Sequence, residues 1–101
     1  MNGVFNRMTF TNSFSQVDTV SGSEQSVTIN GLVYGRDEVV ALRKATHQAG
    51  LVIGEAFVSA NNTLKVRFAN GTAGNITPTA SDTYTLVLCR FDAAPPTSVN
   101  L

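Results

Sequence analysis

The chain has 101 residues, of which 43% are hydrophobic and 14% charged, and its formal net charge is zero. That length fits one domain and excludes a two-domain enzyme with a separate cofactor module. The charged fraction, against a usual value of about 25%, excludes a charge-driven disordered tail, and a neutral chain lacks the basic footprint of a nucleic-acid binder.

The inventory leans toward strands. Thr and Val occur twelve times each, Asn nine and Ser eight, while Lys occurs twice and Glu three times. Thr and Val suit a pleated, half-buried surface, and the scarce residues are those that fill exposed helix. Cys89 stands alone, so neither an intrachain disulfide nor a Cys-based zinc site can form. It falls in the apolar run Tyr84–Cys89, which predicts a buried structural thiol rather than a nucleophile.

Residues 1–24 read as an N-terminal strand and arm. Met8 and Phe10 alternate with Thr9 and Thr11, a weak strand signal, and Asn12 to Glu24 is rich in Ser, Thr, Asn and Gly. The opening residues contain no apolar core followed by a small-residue cleavage site, so no signal peptide is predicted. No run approaches the ~18 apolar residues of a membrane helix. The Asn-x-Thr triplets at Asn61, Asn70 and Asn75 read as turn residues rather than glycosylation sites.

Residues 25–91 carry the firmer signals. Val27 and Ile29 alternate with Ser26 and Thr28, and Asn30-Gly31 ends that run. Residues 37–50 support two readings. Asp37 as a cap, Val39/Leu42/Ala45/Ala49 at helical spacing and Gly50 as a stop favour a helix on propensity. The alternative is a short strand over Val39–Leu42 followed by a loop. Leu51-Val52-Ile53 is then apolar, Gly54 suggests a bulge, and Ala56 and Val58 continue the face. After the turn Ser59–Asn62, Leu64, Val66 and Phe68 alternate strictly with Thr63, Lys65 and Arg67, which predicts a hairpin with one buried face.

Thr83 to Phe91 is apolar on both faces, with Tyr84, Leu86 and Leu88 on one and Val87, Cys89 and Phe91 on the other. Such a strand belongs in mid-sheet or between layers. Residues 92–101, with Pro95-Pro96, read as a flexible C-terminal tail. Short strands at about ten-residue spacing predict an all-β fold, a compact antiparallel β-sandwich of jelly-roll-like or immunoglobulin-like type, with an extended N-terminal arm.

Candidate chemistry is sparse. His47 is the only histidine, which excludes paired-His catalysis and a His-based metal site. A triad from Ser81, His47 and Asp82 or Asp37 is formally available, but no Gly-x-Ser-x-Gly elbow accompanies it, and a solvated loop histidine is the simpler account. Asp37 and Glu38 are adjacent, so on a strand they point to opposite faces and make a poor acid/base pair. Neither a calcium loop nor a phosphate-cradling Gly-rich loop occurs. No catalytic, cofactor or metal residues are assigned, and the chain is not read as an enzyme. Arg36, Arg43, Lys44, Lys65 and Arg67 could meet an acidic partner or form an ordinary solvated face that discourages edge aggregation. Tyr34 and Phe57 could supply an aromatic platform for a sugar or serve as core residues.

The run Gly50-Leu51, Ala56 to Asn70, Ile76-Thr77-Pro78 and Thr83-Tyr84 resembles a recurring small β-domain of tailed-bacteriophage virion proteins. Val27 to Leu32 and Glu38-Val39-Val40 are similar to its first strands, so the likeness spans about residues 25–91. It implies a strand at 38–42 and a loop before Gly50-Leu51. Here that loop, Arg43 to Ala49, lacks the family's prolines, so no family binding residues carry over onto it. The resemblance implies a capsid cement or decoration protein bridging major capsid subunits on the outer surface of the virion, made in the host cytoplasm. A homo-oligomer, with a trimer favoured, goes with it, and neither nucleic acid nor membrane is an expected partner. The alternative is a fibre or receptor-binding module that recognises a host glycan.

Overall fold

The computed structural model describes residues 3–91, so the expected tail over 92–101 lies outside the described residues. Six strands follow in order: β1 (Gly3–Asn12), β2 (Ser21–Thr28), β3 (Asp37–Lys44), β4 (Leu51–Ala60), β5 (Thr63–Asn70) and β6 (Asp82–Phe91). They form two three-stranded antiparallel sheets, sheet 1 ordered β1-β6-β3 and sheet 2 ordered β2-β5-β4. The fold is all-β, and no helix among the described residues is long and apolar enough to cross a membrane. The described strands number six, against roughly seven in an immunoglobulin domain and about eight in a jelly roll.

Period-two alternation sets the core. On β5, Leu64, Val66 and Phe68 are fully buried, and on β6 so are Tyr84 and Leu86. Phe14, in the β1–β2 connection, lies between the layers, with its ring 5.0 Å from Phe68 of sheet 2 and 5.2 Å from Tyr84 of sheet 1. Each such side chain removed from water stabilises by about 1.5–3 kcal/mol. The two strands with the most regular apolar patterns, β5 and β6, are the central strand of each sheet. A central strand has neighbours on both sides and buries its inner face most completely.

One expectation changes, and one pair of alternatives is decided. The strand expected around Met8–Thr11 is part of β1, but residues 12–24, expected as a loop or arm, connect β1 to β2 and begin β2. Gly3–Asn12 pairs with β6 residue for residue, from Gly3 opposite Phe91 to Asn12 opposite Asp82, and Ser21 to Glu24 begin the pairing of β2 with β5. Their polar residues are edge-strand residues: in β2, half-buried Ser23, Gln25 and Val27 alternate with exposed neighbours. Over 37–50 the strand-then-loop reading that the resemblance implies is the one found, as strand β3 and a turn, and not the helix that propensity favours. Asp37 caps nothing downstream. Its carboxylate accepts the upstream Val33 N–H at 2.9 Å, while Val39 and Leu42 turn inward opposite Leu88 and Leu86. Pairing with a central apolar strand outweighs a helix preference of a few tenths of a kcal/mol per residue.

The turns use residues suited to their backbones. Asn62 takes a left-handed φ of 62° at the β4–β5 tip, a conformation that Asn tolerates better than most residues. Its Oδ1 accepts the Gly31 N–H at 2.8 Å, and Asn61 Oδ1 accepts that of Tyr34 at 3.0 Å. The β2–β3 loop is thereby clamped onto the hairpin tip. Gly54 sits at a register shift between Ile53 and Glu55, the bulge expected there.

One core group stands unsatisfied. The Tyr84 hydroxyl is buried and has no hydrogen-bond partner among the described residues, a condition that costs about 1–3 kcal/mol. Tyr84→Phe is therefore expected to raise stability by about 1 kcal/mol, read as a higher urea midpoint at unchanged m-value. Burial first, and the charge of Asp82 second, push the phenol up to about 12. In the unfolded chain it ionises near ~10. Stability then falls as pH rises above that value, and the Phe variant lacks this part of the loss.

Candidate interaction surface

Three buried polar side chains organise the ends of the sandwich. At the end carrying the β4–β5 tip, Asp37 is 3% exposed. Its carboxylate lies 3.0 Å from both Arg36 Nε and Arg90 Nε. Burial pushes this carboxyl up, but the Arg36 hydrogen bond, the Val33 N–H and the charges of Arg90 and Arg36 together hold it below the usual range. Both guanidiniums also donate to the Gly31 carbonyl, each at 3.3 Å.

At the opposite end Asp82 lies 2.9 Å from Lys44 Nζ and accepts from Thr46 N and Oγ1 and from Thr83 N. The Lys44 hydrogen bond is the chief reason that its carboxyl is held low. Nearby, Asn70 is 2% exposed. Its amide donates to the carbonyls of Val17 and Gly74, and its Oδ1 accepts from Thr72 N and Oγ1. These contacts tie the 71–75 loop and the Val17–Ile76 bridge to the end of β5.

Asp37 and Asp82 ionise in the folded chain below their ordinary value of 3.8. The stability they contribute is present above the unfolded carboxylate pKa and is lost as pH falls through the lower folded values. Thermal melts are expected to show a plateau above about pH 5 and a steep decline below about pH 4. The Asp82→Asn variant should show a shallower decline.

These bonds decide the fate of the sequence candidates. The turn at 45–50 approaches Asp82 through Thr46, so His47 and Ser81 lie near the same end. Asp82 is occupied by Lys44, Thr46 and Thr83, and His47 is exposed with no hydrogen bond among the described residues. Asp37 lies at the other end, so the formal triad is not assembled. Asp37 is buried and Glu38 exposed, as adjacent strand residues should be. Among the described residues no three His, Cys, Asp or Glu side chains converge as a metal site would require.

The basic residues divide. Lys65 and Arg67 face outward on sheet 2 and meet Glu24 at 3.5 and 3.0 Å, the solvated-face alternative. Arg36 and Lys44 belong to the two aspartate clusters. Arg43 meets no acid among the described residues. Tyr34 is 66% exposed at the clamped end, while half-buried Phe57 lies opposite Lys65 on the outer face of sheet 2. Cys89 is half-buried rather than buried, because it points away from the core, between Phe5 and Glu38 in register.

The remaining surface is shallow. Depressions of about 280 and 450 Å³ run along the neighbouring edges of β3 and β4, and both are lined by Leu42 and Ile53. Exposed Val40 and Val52 stand beside them. A third, of about 350 Å³, lies on the outer face of sheet 1 between Arg7 and Arg43. Sequence reasoning passed over Arg7 and the outward role of Glu38. Arg7 takes its outward position from the pairing of β1 with β6, and Glu38 shares a face with Arg43 only through a register shift between Val39 and Ala41, which no glycine announces. No family model matches the chain, and neither a curated protein nor a solved structure matches it significantly.

Proposed function

We propose that the chain is a structural virion protein, a capsid cement or decoration protein that binds the outside of a phage head and bridges major capsid subunits as a homo-oligomer. The observation that carries this reading is the group of large apolar side chains left exposed on the strands of a small β-sandwich: Phe5 at 70%, Val40 at 55% and Val52 at 57%, with Val4 at 48%. They lie on edge strands and on an outer sheet face rather than in an enclosed cleft. Such a distribution suits broad, shallow contact with flat neighbours. The likeness of residues 25–91 to phage virion β-domains supports the same role.

Gold-tagged antibody against the chain is expected to label intact heads of the parent phage evenly. Absence of label, with the antigen shown to be reactive, would overturn the virion reading. Tyr34, at 66% exposure, favours a second reading, a fibre module that stacks a host sugar on an aromatic ring. Label confined to the tail tip, with glycan binding lost in Tyr34→Ala, would favour that reading instead.

A further inference from the structure

The acids Glu24, Asp37 and Asp82 account for every strand cation among the described residues except Arg7 and Arg43. Glu55 lies opposite Arg67 and acts on its guanidinium, which leaves Glu38 as the one strand acid without a partner. The three unmatched charges share the outer face of sheet 1.

A bulge puts them there. Glu38 and Arg43 are five residues apart, and a regular strand would send them to opposite faces. The register shift between Val39 and Ala41 sets Glu38 opposite Cys89 and Arg43 opposite Thr85, both outward positions of β6. Four residues of β6 separate these positions, about 13 Å, too far for the two side chains to pair within the chain. Arg7 joins the face from β1, opposite Val87. Arg7 and Arg43 flank the 350 Å³ depression, whose other lining residues are Ala41, Thr85 and Val87. Two guanidiniums around an apolar floor with no acid between them repel each other, and a carboxylate from outside the chain relieves that repulsion.

We infer that this face self-associates: a second copy lays its own outer face of sheet 1 against it and seats its Glu38 carboxylate on Arg43. A two-fold axis between the faces, crossing the strands near Val87, exchanges the Glu38 and Arg43 ends of β3. Each copy's Glu38 then meets the other's Arg43, once at each end of the contact, and the two Arg7 side chains flank the axis. Phe5, half-buried Val87 and Ala41 supply the apolar part. Three strands spaced ~4.8 Å apart and about eight residues long present roughly 400 Å² per copy, below the ~800 Å² per partner of a standard stable complex. The dimer is therefore weak, reversible and sensitive to salt. It is a property of the purified chain and holds or fails separately from the virion role.

Sedimentation velocity of the full chain at low salt is expected to show a concentration-dependent dimer that dissociates at high salt. Glu38→Arg and Arg43→Glu should each raise the dissociation constant about tenfold or more, because each sets like charges together at both ends of the contact. Mixing these two variants should restore association as a heterodimer with opposite charges facing again. Lys65→Glu, on the outer face of sheet 2, should leave the dimer unchanged. Circular dichroism checks the folding of each variant. If a reversal unfolds the chain, the salt series on the unmodified protein decides, and a dimer indifferent to salt overturns the inference. So do a monomer at every concentration, a mixture that fails to associate, and a trimer or other oligomer insensitive to both reversals.

Discussion

Gly50→Ala is expected to destabilise the fold by about 2–5 kcal/mol, the sum of two separable effects. Gly50 has a φ of +85°, a left-handed conformation that costs an L-residue about 1–2 kcal/mol. The added Cβ would also overlap the Cγ2 methyl of Thr72, and forcing extra volume into a packed site costs about 1–3 kcal/mol. Thr72 cannot simply turn away. Its hydroxyl lies 2.7 Å from Asn70 Oδ1 and 2.8 Å from the Gly74 carbonyl, and its N–H donates to the same Asn70 oxygen at 2.9 Å. Adding Thr72→Ser removes the methyl and keeps the hydroxyl. The double variant should recover the steric part of the loss and retain the backbone part. Urea unfolding of the four members of this cycle separates the terms, and an unchanged midpoint for Gly50→Ala would show that the 70–74 loop yields freely.

Asp37→Ala should cost about 3 kcal/mol, toward the lower end of the range for breaking a buried ion pair. Truncation leaves two guanidiniums without their anion and the Val33 N–H without its acceptor. Arg36 and Arg90 are 39% and 35% exposed, so water solvates part of each charge and limits the damage. For a domain whose total stability is of order 5–15 kcal/mol, the loss is still large. Asp37→Asn keeps an acceptor for Val33 and removes only the charge, so it should fall between wild type and alanine. Its melting temperature should also change less than that of wild type as pH drops below about 4. Equal losses for Ala and Asn would place the whole effect in the charge and none in the Val33 bond.

Both residues could be picked out in the sequence, but not for these roles. Gly50 read as a helix stop, and it instead precedes β4 because no helix reaches it. Asp37 read as a helix cap or half of a weak acid/base pair, and it is the anion that binds the β2–β3 loop to the start of β3 and the end of β6. In each case the local signal, a residue suited to a chain reversal, was sound. Its partner lies far along the chain: Thr72 for Gly50, and Arg90 for Asp37. Sequence spacing says nothing about such pairs. The bulge at Gly54 was legible because glycine marks it, whereas the one beside Val40 carries no mark, and so the shared outward direction of Glu38 and Arg43 could not be read.

By itself the sequence determined the all-β class, the β4–β5 hairpin and the two apolar strands at the sheet centres. Strict alternation and a doubly apolar run are local properties that survive in any arrangement burying one face. Tertiary structure alone decided that β1 runs over residues 3–12 as a sheet edge, that residues 21–24 open β2 rather than an arm, and that Cys89 faces outward. It also sorted the charges into those matched within the chain and the three left on sheet 1. The reason is common to all of these: a weakly patterned segment takes the conformation its neighbour's backbone offers, and β1 and β3 are the two edges that β6 requires.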